Sequence, residues 1–81
     1  MINSSITLNM RVLVFKTSVA STKQAESLRP ALNNLMAEND KWNFDLEDCD
    51  HILRVESFSL CIEAVQSLLA SKGHHCEELP D

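Results

Sequence analysis

Glycine is nearly missing from this chain: Gly73 is the single one among 81 residues. A glycine-rich loop that cradles phosphate through its backbone N–H groups is therefore hard to build. No Ser-His-Asp arrangement and no His-Glu metal helix is spelled either, so catalysis is not expected. Long apolar runs are also lacking. Nothing approaches the roughly 20 consecutive apolar residues of a membrane-spanning helix, and residues 1–10 have neither the basic start nor the apolar centre of a signal peptide. A cytoplasmic protein without membrane contact is the expectation. Cysteine is sparse: Cys49, Cys61 and Cys76 are odd in number and widely spaced, which fits reduced thiols better than a disulfide framework. Basic residues are few, seven Lys and Arg against twelve Asp and Glu, and the net charge is −5. Nucleic acid is not an expected partner, because phosphate binding relies on clustered Lys and Arg displacing counterions.

What is present describes an ordinary globular domain. Hydrophobic residues make up 44% of the chain and charged residues 23%, with only two prolines. A chain of this length has room for one domain and one modest core, since so small a protein buries only roughly 60% of its unfolded surface. Residues 1–9 are mostly polar, with Ile2, Ile6 and Leu8 the apolar residues after Met1, and read as a loose leader; residues 10–81 read as the single folded domain. The charge is uneven. Only one of the twelve acidic residues, Glu26, precedes Glu38, whereas Arg11, Lys16, Lys23 and Arg29 all do. Such polarity suits a solvated acidic face and also suits orientation of a partner or a second copy.

The organising stretch is residues 42–56. Trp42, Phe44 and Leu46 alternate with Asn43, Asp45 and Glu47, the period-two pattern of a strand with one apolar face. The acidic turn 47–50 then leads to a second strand over residues 51–55, predicting a β-hairpin. Upstream, RVLVFKT at residues 11–17 is rich in β-branched and apolar residues, four of them consecutive rather than alternating, as in a central strand covered on both sides or meeting a partner. Ser21 and Gln24 spell a capping box, and Ala25, Leu28, Leu32, Leu35 and Met36 follow at helical spacing, with a kink expected at Pro30. A second helix, capped from within residues 57–59 and running through Lys72, carries Cys61, Ile62, Val65, Leu68 and Leu69 on its apolar stripe, and Gly73 stops it. A short strand over residues 75–79 closes the chain. The order β-α-β-β-α-β predicts a ferredoxin-like α+β fold, with two helices on one face of a four-stranded antiparallel sheet.

Residues 10–81 resemble a heavy-metal-associated domain, the module of copper chaperones and of the N-terminal arms of metal-transporting ATPases. The likeness lies in FDLED at residues 44–48, HILRV at 51–55, a helix beginning near Ser59, the pair Lys72-Gly73, and the closing EEL at 77–79. The family's motif is M-x-C-x-x-C at the start of the first helix, where two thiolates hold Cu(I). Counting back from Leu28 and Leu32, those positions fall on Val19, Ser21 and Gln24. A hydroxyl and a carboxamide are hard, weak donors with no useful affinity for Cu(I). The resemblance thus implies a domain that has exchanged its metal site for a helix cap.

Ligands from elsewhere form the alternative. In the family the residue after the second helix lies close to the metal loop, and here that region reads His74-His75-Cys76, donors suited to Zn(II), Cu(II) or Ni(II). Alternation along a strand points His75 away from Cys76, so convergence on one ion is awkward unless two copies share the site. Cys61 is expected as a small buried hydrophobe. Cys49 lies among carboxylates, which do not favour a nucleophile. The acids Asp45, Glu47, Asp48 and Asp50 lack the spacing and the glycine of a calcium loop, and edge charge there discourages stray strand pairing. Two functions follow as expectations. One is a non-enzymatic module, without cofactor, that binds a protein partner or itself through an open sheet face bearing Val12 or Val14 and Ile52. The other is a transition-metal binding or delivery protein using His74, His75 and Cys76.

Overall fold

The stretch 11–17, with Val12, Leu13, Val14 and Phe15 in a row, becomes one of the two inner strands of a four-stranded sheet, and both helices pack on one face of it. The computed structural model describes residues 10–79; residues 1–9, expected as a leader, and residues 80–81 lie outside the described part. The elements are β1 (Arg11–Thr17), α1 (Thr22–Leu35), β2 (Lys41–Asp45), β3 (Ile52–Ser57), α2 (Ile62–Ser71) and β4 (Cys76–Glu78). The strands form one antiparallel sheet in the order β2-β3-β1-β4. This is the ferredoxin-like arrangement of an α+β fold.

Register sorts the side chains onto two faces. Leu13 opposes Val55 and Phe15 opposes Leu53 on the helix side, where they join Val19, Leu28, Leu32, Val65 and Leu69 in one buried core. Full burial of each such side chain is worth about 1.5–3 kcal/mol. The other face carries Lys16, Lys41 and Arg54 against Asp45, Glu56 and Glu77, with Val12 and Val14 between them. Lys41 sits across from Glu56, and Lys16 across from Glu77. Opposite charges in register suit a face turned to water. Val12 is exposed on it, but Ile52, expected there as part of an apolar patch, is closed over to 7% exposure.

Local chemistry explains the helix boundaries. The Ser21 hydroxyl accepts from the Gln24 N–H at 3.1 Å, and the Gln24 carboxamide oxygen accepts from the Ala20 N–H at 2.7 Å. This is the expected capping box, reaching one residue further back than its usual form. Helix α1 runs unbroken through Pro30, which is exposed. Its end is a turn in which the Met36 N–H donates to the Leu32 carbonyl. Helix α2 ends at Gly73, φ +85°, with the His74 N–H donating to Leu69 and the Gly73 N–H to Ala70. Those two bonds define the Schellman closure, whose left-handed residue favours glycine.

Four expectations need correction. The second helix begins at Ile62, not near Ser59, because the buried Ser57 hydroxyl accepts from the N–H groups of Ser59 and Leu60 and so ties a turn that precedes the helix. Cys61 is consequently the N-cap, without a side-chain cap bond, and is exposed rather than buried on the apolar stripe. His51 belongs to the hairpin loop with φ 49°, and the strand starts one residue later. The last strand spans Cys76–Glu78, although the Leu79 N–H still donates to the Val14 carbonyl at 2.8 Å.

Candidate functional site

Sheet edges decide what is left open. Strand β2 is one edge, and its alternation puts Trp42 and Phe44 on the helix side. Neither is fully covered: both are half-buried, as are Leu46 and Met36 beside them. Helix α1 buries Ala25, Leu28 and Leu32 over the inner strands and leaves its Glu26–Arg29–Asn33 side toward the edge. An open groove of about 750 Å³ results between α1 and β2, floored by Trp42, Phe44, Leu46 and Met36.

The groove wall is built with polar fixtures. The Trp42 indole Nε1–H donates to Asn33 Oδ1 at 2.8 Å, and the Arg29 guanidinium stands 5.4 Å from the centre of the Trp42 ring. Trp42 and Phe44 meet edge to face with centroids 5.9 Å apart. Arg29 is held in turn by Glu26, with contacts of 3.0 and 2.6 Å to its two carboxylate oxygens. The Arg29 hydrogen bond holds the Glu26 carboxyl below the usual carboxylate range, and the same contact raises Arg29. These contacts fix the indole in one orientation, since both its polar edge and its face are engaged. The arrangement leaves an aromatic floor beside a free strand edge, with Arg29 and Lys41 balanced by Glu26 and Asp40 around it.

The end of the sheet at the β1–α1 loop carries the residues singled out for metal. Val19 is buried in the core, while Ser21 and Gln24 are exposed and occupied with the helix cap. His75 does lie beside the β1–α1 loop: its N–H donates to the Ser18 hydroxyl at 2.8 Å, and its carbonyl accepts from the Ser18 N–H at 3.1 Å. The imidazole of His75 is exposed and stands 3.9 Å from Glu77, and Cys76 faces the core side, half-buried. Burial pushes the Cys76 thiol up to about 11. His74, His75 and Cys76 therefore do not converge. Among the described residues the group of three donors within 4.8 Å of one another is Asp48, Cys49 and Asp50 in the hairpin loop. There Asp48 already accepts from the Asp50 N–H at 2.8 Å as an Asx turn, which explains the cluster as loop structure.

Thr17 was not legible as a site residue, yet it organises this end. Its buried hydroxyl donates to the His51 carbonyl at 2.7 Å and accepts from the Val19 N–H at 3.1 Å. One side chain thus joins β1, the approach to α1 and the β2–β3 loop. The groove residues Arg29, Asn33 and Met36 were likewise missed; their signal is a polar pair four apart on α1 that needs the position of Trp42 to be read. No helix among the described residues is long and apolar enough to cross a membrane. No family model matches the chain, nor does a curated protein or a solved structure.

Proposed function

We propose that the protein is a non-enzymatic interaction module, a relative in form of heavy-metal-associated domains whose metal position has become a helix cap, and that it engages a protein partner along β2. The observation that carries this reading is the half-open aromatic face of an edge strand, where Trp42 and Phe44 are oriented but not covered. Interfaces are enriched in aromatic residues and Arg, and an edge strand adds main-chain hydrogen bonds to the apolar contact. The open sheet face is less suited, because its apolar side chains sit within a balanced lattice of charges. The metal-delivery alternative through His74, His75 and Cys76 draws less support, since a thiol held protonated and a histidine on the opposite face are poor partners for one ion.

Photo-crosslinking tests the module reading. A crosslinking residue in place of exposed Ala37, which lines the groove, is expected to capture protein in the cells that make the chain, and the same residue at exposed Glu63 on α2 is not. Equal capture from both positions, or capture from neither, contradicts the reading.

A further inference from the structure

Resting on that reading, we infer that the occupant of the groove is a second copy of the chain, joined through an antiparallel β2–β2 pairing centred on Asn43. The edge is complementary to its own reverse. Strand β2 reads Lys41-Trp42-Asn43-Phe44-Asp45. Folded back on its own copy about a two-fold axis at Asn43, Lys41 meets the copy's Asp45, Trp42 meets the copy's Phe44, and Asn43 meets itself. Every contact is repeated by symmetry, as a closed two-fold interface requires.

The two faces agree with this register. Lys41, Asn43 and Asp45 are exposed and lie on the outer face, so two ion pairs and an amide pair form where water remains. Trp42 and Phe44 lie on the helix side, so two aromatic cross-strand pairs form inside the combined grooves, covering the ring faces left half-open in one copy. Neighbouring registers fail. A shift of one residue opposes inner to outer side chains, because strand side chains alternate faces. A shift of two places Trp42 against Trp42 and Lys41 against Asn43, or Phe44 against Phe44 and Asp45 against Asn43, and both ion pairs are lost. The charges on this edge, which discourage pairing with an arbitrary strand, are complementary to the edge's own reverse. The result is a continuous eight-stranded sheet with the α1 helices flanking the junction.

The test uses charge reversal on exposed positions. The mass of the full chain in sedimentation equilibrium is expected to approach twice 9.1 kDa as concentration rises. Lys41→Asp and Asp45→Lys, each alone, oppose like charges at both symmetry-related contacts and are expected to weaken self-association about tenfold. Mixing the two variants in equal amounts opposes unlike charges everywhere and is expected to restore association as the heterodimer, which also shows that both variants fold. A parent that stays monomeric at millimolar concentration overturns the inference, as does association indifferent to either reversal or not restored by mixing. Those failures are separable from failure of the module reading: capture of a different, heavier protein from Ala37 keeps the module and rejects the second copy, whereas absence of any capture rejects both.

Discussion

Replacing Thr17 by Val keeps the shape of a buried side chain and removes one hydroxyl. In the parent that hydroxyl donates to His51 and accepts from Val19, and Thr17 itself is 5% exposed. Without it the Val19 N–H loses its partner in a fully buried setting, and the His51 carbonyl loses its donor at a half-buried one. An unsatisfied buried group costs about 1–3 kcal/mol, and the more exposed carbonyl recovers part of its share from water. The methyl group gained by Val offsets a little more. A net loss of about 2 kcal/mol is expected, equivalent to a fall in Tm of roughly 10 °C for a domain of this size. Urea and thermal unfolding followed by far-UV circular dichroism measure it. Thr17→Ser keeps the hydroxyl and loses one methyl, so its cost is expected near 1 kcal/mol. Thr17→Val at or above parental stability would refute the assignment of this hydroxyl as the tie between β1, the α1 approach and the hairpin loop.

Further expectations concern the cap, the glycine and the cysteine. The double change Ser21→Cys/Gln24→Cys restores the spacing of two thiolates at a helix start; if the resemblance to heavy-metal-associated domains holds, the reduced protein gains one Cu(I) by native mass spectrometry that the parent does not bind, while losing about 1 kcal/mol of cap stability. Gly73→Ala meets no atom within 4 Å, so its cost comes from φ +85° alone and is expected at about 1 kcal/mol in chemical denaturation; an unchanged midpoint contradicts the Schellman closure. Burial raises the Cys76 thiol from 9.0 to about 11. The unfolded chain therefore releases this proton first, and stability falls as pH rises from 9.0 toward about 11. With the side chain half-exposed, the loss is expected at about 1 kcal/mol after discounting for solvent, and Cys76→Ala removes that slope from a denaturation series across this pH window.

Much of the fold was readable because single residues carried single instructions. Trp42, Phe44 and Leu46 announced a strand by alternation, Ser21 and Gln24 announced a helix start, and Gly73 announced a helix end. Ser57 was ambiguous, since a hydroxyl before an apolar run serves equally in a helix cap or in the turn before it, and here it went to the turn. That choice moved Cys61 from the expected stripe to an exposed cap. The groove was not readable at all. Alternation states that one face of β2 is apolar, but only the reach of α1 decides how far that face is covered, and this depends on packing between residues distant in sequence. Thr17 is silent for the same reason, because both of its hydroxyl partners are supplied by the tertiary fold.

Trp42 is the single tryptophan of the chain and sits half-buried in the groove, so its fluorescence reports occupancy directly. Dilution of the full chain from millimolar to submicromolar concentration is the measurement to make. The emission maximum is expected to move to longer wavelength on dilution, in step with the loss of dimer mass, as the indole returns to water. A maximum that stays fixed while the mass changes would place the interface away from Trp42 and contradict the β2–β2 pairing.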